Sequence, residues 1–139
     1  MAKELNLTIK YWLPSPLPNS ESPFAIGLNP ADLEPLLSAN TRLVAFTAVS
    51  NLLGHRTPVK DVVEIVKSKT GARAMTVVDC VAYAPHGHIN MQEWGCDAVL
   101  FSFYKVSPAV RDSHSQCSAL HLSFSGPISL VSPLRRGHR

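Results

Sequence analysis

The chain has 139 residues, of which 45% are hydrophobic and 17% are charged, and this balance excludes a fully disordered protein. Its formal net charge of +3 comes from residues 107–139, because acidic and basic residues balance over residues 1–106. The body of the protein therefore has no basic face that composition can detect, and we expect no nucleic-acid partner.

The cysteines and the N-terminal residues indicate in which cellular compartment the protein is expected. The three cysteines, Cys80, Cys96 and Cys117, are an odd number without CxxC spacing, which favours a reducing compartment over a disulfide framework or a zinc site. We expect Cys80 and Cys96 to be small core hydrophobes. The start lacks the pattern of a signal peptide, and no apolar run approaches the length of a membrane span. We therefore expect a cytoplasmic protein with no membrane partner.

The first part of the chain predicts a strand, a loop and a short helix. Leu5–Leu13 begins with alternating apolar and polar residues, which is the period of a strand. Residues 14–23 contain four prolines and predict a surface loop. Asn29 followed by Pro30 is a good pair for the N-cap and first turn, so a short helix is predicted over residues 31–38.

The middle of the chain predicts a strand followed by an amphipathic helix. Arg42–Val49 is rich in Leu, Val, Phe and Thr, which is typical of a strand. A helix is predicted to begin at Thr57 and Pro58 and to stop at Gly71, because valines recur at i, i+3, i+4 and i+7 with charged residues on the other face. These valines are Val59, Val62, Val63 and Val66. The helix is expected to pack this side on an apolar surface.

Two more strands complete an α/β pattern. Ala74–Val78 and Ala98–Ser102 are apolar runs that predict covered strands, and Asn90–Trp94 between them predicts a helical turn. Strands that alternate with covering helices imply right-handed crossovers and a mostly parallel sheet, so the fold class is α/β. Residues 107–139 predict an irregular tail rich in Ser, Pro and Arg, apart from a short alternating stretch at Leu120–Phe124.

Three polar residues, Asn51, Asp79 and Lys105, each follow a predicted strand. Ligands gather at the carboxyl ends of parallel strands, so we expect the three side chains to converge. Taken singly, each has a simpler interpretation. Lys105 is typical of a solvated surface lysine. Asp79 is typical of a turn-forming residue, and Asn51 of a left-handed turn position.

Two longer segments carry a family resemblance. TRLVAFTAVSNLLG (residues 41–54) and VVDCVAYAPHGHINMQEWGCDAVLFSFYKV (residues 77–106) resemble the central large-domain segment of class V aminotransferases of fold type I, and most of all their cysteine-desulfurase-like branch. The resemblance covers roughly residues 3–106. It implies a partial large domain over residues 1–106, followed by a tail over residues 107–139 that is expected to be disordered.

The resemblance implies pyridoxal 5'-phosphate (PLP) as cofactor and an amino acid as substrate. Lys105 would form the Schiff base with PLP and then serve as a general acid or base. Asp79 would pair with the protonated ring nitrogen, Asn51 would lie near the phenolic oxygen, and Ser102 would contact the phosphate. The family also implies a homodimer.

Two positions depart from the better-known cysteine desulfurases. Ala82 stands where a glutamine is common, and Tyr104 stands where a histidine precedes the lysine. No cysteine matches the family's persulfide-forming residue. The reaction subtype therefore stays open between cysteine desulfurase, selenocysteine lyase, and an aminotransferase or epimerase. His86 and His88 flank Gly87 but have no third ligand, so no metal site is predicted.

Two interpretations of the chain as a whole stay open. One is a PLP-dependent lyase or transferase that acts on an amino acid. The other is a non-catalytic truncated remnant that does not bind PLP productively. The remnant interpretation rests on length, because a complete family member would be roughly three times longer. The additional residues would supply the upstream phosphate loop and the downstream small domain. A third class, an interaction module that uses the basic tail, would bind an anionic partner in a salt-sensitive way.

Overall fold

A computed structural model of the chain describes residues 7–18, 20–102 and 105, together with the backbone of residues 120–124. None of the helices within these residues is both long and apolar enough to cross a membrane. The elements follow in chain order as β1 (Ser15–Pro16), β2 (Ile26–Gly27), α1 (Pro30–Leu33), a 3-10 turn (Glu34–Leu36), β3 (Leu43–Thr47), α2 (Val59–Thr70), β4 (Met75–Asp79), α3 (Met91–Trp94), β5 (Ala98–Ser102) and β6 (Leu120–Phe124).

The main sheet has the strand order β3-β4-β5-β6. β3, β4 and β5 run parallel, and β6 pairs antiparallel with β5. The register aligns Thr47 with Asp79 and Asp79 with Leu100. Helix α2 connects β3 to β4, and the short α3 connects β4 to β5. The mostly parallel α/β sheet predicted from the alternation of strands and helices is confirmed.

The core lies between α2 and the sheet. The four valines of α2 that share the predicted apolar face are all buried: Val59, Val62, Val63 and Val66. They belong to one cluster with Val44, Phe46, Val78 and Val99 from the three parallel strands. Gly71 ends the helix with a left-handed φ of 63°, a conformation that suits a residue without a Cβ. The amphipathic helix and its end were therefore predicted correctly.

The strand predicted over Leu5–Leu13 is wrong for residues 7–13, which form no strand. The apolar side chains of the alternation, Leu7, Ile9, Tyr11 and Leu13, are exposed. The neighbouring Trp12 points inward, where its ring packs edge-on against Phe46 at 6.1 Å and its Nε1 donates to the Asn29 carbonyl at 3.0 Å. Alternation indicates a two-sided segment, but the packing of one large ring decides which side is covered.

The proline-rich loop and the short helix after it lie approximately where the sequence predicts them. Residues 14–18 and 20–23 form a loop apart from β1, which pairs antiparallel with β2 over two residues. Asn29 caps α1 as predicted, since its side-chain oxygen accepts from the Ala31 amide at 3.1 Å. The helix proper is short, and the chain tightens into the 3-10 turn at Pro35.

The segment predicted to be an irregular tail contains one strand. β6, the alternating stretch at Leu120–Phe124, pairs with the whole of β5, so that Ala98 lies opposite Phe124 and Ser102 opposite Leu120. Residues 106–119 and 125–139 lie outside the described residues. The prediction of a disordered tail over residues 107–139 therefore falls largely on positions that the structure does not describe.

We expect Val66→Ala to lower the free energy of unfolding by about 2 kcal/mol, because it leaves a cavity beneath a fully buried side chain. Lys60→Ala on the exposed face of α2 is the matched control, with an expected change below about 0.5 kcal/mol. Urea unfolding followed by circular dichroism measures both. Equal losses in the two variants would contradict the burial of this helix face.

Candidate functional site

A cavity of about 610 Å³ lies at the carboxyl ends of β3 and β4. We call it the first cavity. Asn51, Asp79 and Lys105 all line it, although they are far apart in the sequence. Each reaches the cavity from the end of a different parallel strand, which is the convergence that the strand order predicts.

Asp79 reaches the first cavity because it is the last residue of β4. Its carbonyl accepts from the Ala48 amide at 2.9 Å, which ties its backbone to the end of β3. Its Oδ1 accepts from the Val81 amide at 2.9 Å, so the side chain does form the turn expected of a strand-end aspartate. No donor in the described part of the chain contacts Oδ2, and that oxygen can accept a hydrogen bond from a ligand.

Asn51 lies on a loop that is closed by two backbone hydrogen bonds. The Ser50 amide donates to the His55 carbonyl, and the Gly54 amide donates to the Ser50 carbonyl, both at 2.9 Å. The left-handed position of this loop is Gly54, with φ of 69°, so Asn51 does not serve the left-handed turn that its residue type also allows. Within the described residues the Asn51 amide makes no hydrogen bond, and it remains available to a ligand in the cavity.

Lys105 is half-buried and lines the first cavity together with an adjoining one of about 350 Å³, which we call the second cavity. No described acceptor contacts its Nζ atom. Ser102 was predicted to contact a phosphate group, but this buried residue of β5 lines neither cavity. The structure thus brings together three of the four predicted site residues and leaves Ser102 in the sheet.

Sequence reasoning missed His55, which lines the first cavity. Its Nε2 is buried and has no hydrogen-bond partner among the described residues. Gly27 of β2 lies so close that a Cβ atom at that position would overlap the imidazole. The only feature of the sequence that could have predicted this placement is that His55 directly follows the turn that presents Asn51. An unpartnered polar atom beside a ligand-sized cavity marks a position where a bound molecule can supply the missing contact.

Sequence reasoning also missed Arg56, which lines the second cavity together with His86. The Arg56 guanidinium lies over the Tyr83 ring at 5.5 Å from its centroid. Nothing in the local pattern indicates this contact, since Arg56 and Tyr83 come from different loops. Within the described residues, no group of three His, Cys, Asp or Glu side chains is placed to hold a metal ion.

Cys80 follows Asp79 directly, but its side chain is fully buried in the core, as is that of Cys96. Burial raises the pKa of the Cys80 thiol from 9.0 to about 12, and the nearby Cys96 and Asp79 act in the same direction. Burial also raises the pKa of Cys96. Both thiols are therefore protonated core groups near neutral pH rather than nucleophiles, as their interpretation as core hydrophobes predicts.

Comparison with known proteins gives several matches. Residues 25–109 match the model of the aminotransferase class-V family. An aminotransferase-like protein of Gibberella zeae is 45% identical over 136 residues, which covers 93% of this chain and 32% of that protein. A cysteine desulfurase-like protein of Aspergillus flavus is 39% identical over 106 residues, which covers 76% of this chain and 23% of that protein.

A solved structure also resembles this chain. The apo structure of the cysteine desulfurase from Thermococcus onnurineus matches with a TM-score of 0.57 and 28% identity, over 73% of this chain and 22% of that one. The chain thus spans about a third or less of the length of the proteins it matches. The Gibberella alignment covers more of the chain than residues 1–106 contain, so the similarity continues past Val106, where the resemblance was expected to end.

We expect Gly27→Ala to destabilise the protein by about 2 kcal/mol, because the new methyl group overlaps the His55 imidazole. The double variant with His55→Ala removes the ring and should recover most of the loss. Urea unfolding of both single variants and the double variant gives the coupling between the two positions. Additive losses would show that the two residues are not in contact.

We expect the stabilisation from the neutral Cys80 thiol to be lost at high pH. Because the pKa is raised on folding, this contribution is complete below pH 9.0 and disappears as pH rises toward about 12. The difference in unfolding free energy between wild type and Cys80→Ala should therefore shrink over this range. The difference for Val66→Ala, which removes no titrating group, should stay constant, and a parallel decline in both would contradict the assignment.

Proposed function

The chain belongs to the aminotransferase class-V family, and on that premise we propose that the first cavity holds pyridoxal 5'-phosphate and acts on an amino-acid substrate. Its mostly parallel sheet has part of the fold of PLP-dependent enzymes of fold type I. The observation that carries the proposal is that Asn51, Asp79 and Lys105 line one cavity. Its volume of about 610 Å³ lies within the range of about 300–1,000 Å³ typical of cofactor sites.

The donors and acceptors of the first cavity suit this cofactor. Asp79 offers the free oxygen of a carboxylate, which stabilises a protonated ring nitrogen. Asn51 offers the only side-chain amide among the described residues of the wall, and it can donate to the phenolic oxygen. Ala82 also lines the cavity, and its methyl side chain offers no hydrogen bond there. When bound, PLP supplies an electron sink for the substrate carbon.

Lys105 has two tasks in this proposal. Its Nζ atom would hold the cofactor covalently at this edge of the sheet. The same amine would also be placed to take a proton from a bound substrate or to return one. Because the side chain is half-buried at the boundary of both cavities, its reach includes the cofactor and the space next to it.

Apolar side chains complete the wall. Trp12, Val49 and Val81 line the first cavity and cover parts of it with side chains that bind no water. A site with less water strengthens the pairing between the Asp79 carboxylate and a ring cation. Trp12 reaches this position because it packs on Phe46 of β3, so the same contact supports both the core and the wall of the cavity.

The remaining features of the proposal follow from the family. We infer a lyase or transferase reaction, a cytoplasmic location and a homodimer, with the reaction subtype left open by Ala82 and Tyr104. The chain spans 32% of the Gibberella relative and 23% of the Aspergillus one. The alternative is a non-catalytic remnant that does not bind PLP productively, and covalent attachment of the cofactor distinguishes the two.

We expect wild-type protein mixed with PLP to give a visible absorption band, which borohydride converts into a stable adduct on Lys105. Lys105→Ala should give neither the band nor the adduct, because it removes the only amine on the described wall. Lys60→Ala, on the outer face of α2, is the control and should behave as wild type. Peptide mass spectrometry locates the adduct.

Two outcomes of this experiment would overturn the proposal. A stable adduct on other lysines, with Lys105→Ala unchanged, would show that PLP reacts with surface amines. No adduct in any variant, with the protein folded by circular dichroism, would support the non-catalytic remnant.

A further inference from the structure

One side of the first cavity is apolar. It is formed by residues 12–14 and 26–28 and by the tip of the loop after β3. The apolar side chains that line the first cavity but not the second are Trp12, Pro14, Ile26, Leu28, Leu52 and Leu53. We call this group the apolar face. We propose that it binds the side chain of the substrate, and that the substrate is an amino acid with a large apolar side chain.

The apolar face offers no hydrogen bond to a ligand. Asp79 and Lys105 are the charged residues among the described residues that line the cavity, and neither belongs to the face. Trp12 is the member of the face with a polar side-chain atom, and its Nε1 already donates to the Asn29 carbonyl at 3.0 Å. A polar or charged group that lay against the face would therefore lose water without a replacement.

Leu52 and Leu53 are exposed at the cavity although both are large apolar side chains. Leu52 is 90% exposed and Leu53 is 44% exposed. Their loop is held by the Leu53 amide, which donates to the Ser50 Oγ atom at 3.1 Å, and by the Gly54 amide, which donates to the Ser50 carbonyl at 2.9 Å. An apolar ligand that covers the two leucines is stabilised by the area that it removes from water.

A close contact between His55 and Gly27 holds the two parts of the apolar face together. The imidazole lies so near the Gly27 backbone that a Cβ atom there would overlap it. Gly27 stands between Ile26 and Leu28 in the chain, and His55 follows the loop that carries Leu53. The segment around β2 and the loop after β3 therefore line the same cavity.

PLP leaves most of the apolar face uncovered. Its ring carries a phenolic oxygen, an aldehyde and a phosphate arm, with one methyl group as its apolar substituent. In the proposed function, on which this inference rests, Asn51, Asp79 and Lys105 bind polar parts of the cofactor. The face is therefore left to the substrate, and its composition favours a hydrocarbon side chain over a polar one.

A homologous series of amino acids tests the apolar face. L-Alanine, L-norvaline and L-norleucine share their amine and carboxylate and differ in the number of methylene groups. We expect the affinity of the full chain without PLP to rise by about 3-fold for each added methylene, because each is removed from water at the face. L-Glutamine has a polar side chain of similar length to that of L-norleucine and should bind no more tightly than L-alanine.

The fluorescence of Trp12 measures this binding, because its ring belongs to the apolar face. Trp94 is the other tryptophan of the chain and lines neither cavity. The titrations are therefore made in the Trp94→Phe background, in which Trp12 is the remaining reporter. Calorimetric titration of wild type with L-norleucine checks that the background substitution does not change the affinity.

Leu53→Ser removes apolar surface from the face and should reduce the rise to below about 2-fold for each methylene. Leu43→Ser is the matched control, since this leucine is 57% exposed at the amino end of β3 and lines neither cavity. It should leave the rise unchanged. Circular dichroism checks that each variant is folded. Equal affinity across the series in wild type, no binding of L-norleucine, or the same rise in Leu53→Ser as in Leu43→Ser would overturn the proposal.

Another copy of the chain is the competing occupant of the apolar face. Analytical ultracentrifugation of wild type, Leu53→Ser and Leu43→Ser distinguishes it from a substrate. If Leu53→Ser lowers self-association and leaves the series unchanged, the face is an interface and the proposal is wrong. The titrations require no PLP, so a normal Lys105 adduct with a flat series would contradict this proposal alone. A rising series without the adduct would contradict the proposed function instead.

Discussion

Parallel pairing of β3, β4 and β5 is the constraint on which the rest of the structure depends. It brings the carboxyl ends of these strands to one edge, so that Asp79 lies beside Thr47 and Leu100. Asp97, at the start of β5, strengthens this pairing, since its Oδ2 accepts from both the amide and the hydroxyl of Thr76 at 2.7 Å. A shift of one residue would turn every side chain of a strand to the other face and disperse the site.

The valine face of α2 keeps this register in place. A helix whose apolar stripe is fully buried can cover only one face of the sheet, and α2 supplies the crossover that parallel pairing of β3 and β4 requires. The loops that follow the strands do not form part of this packed core, and each presents different side chains. The loop after β3 presents Asn51, and the turn after β4 presents His86, so these cavity-lining side chains lie on loops that the sheet positions.

Aromatic contacts divide the site edge into two regions. Trp12 packs on Phe46 and forms part of the wall of the first cavity. Tyr83 packs on Trp94 and carries Arg56 beside the second cavity. The two cavities share Lys105 but differ in charge, since among the described residues an acidic side chain lines only the first. One edge of the sheet therefore presents two regions of different charge.

The sequence by itself determined the elements whose signals are local, namely the valine repeat of α2, the apolar strands, and the strand-end positions of Asn51, Asp79 and Lys105. Only the tertiary structure decided the contacts between distant segments. It left residues 7–13 of the predicted strand as a segment held by Trp12, kept Ser102 out of both cavities, and paired β6 with β5. It also brought Arg56 onto the Tyr83 ring. Periodicity reports the environment of a segment, whereas these outcomes depend on which partner each side chain meets after the chain has folded.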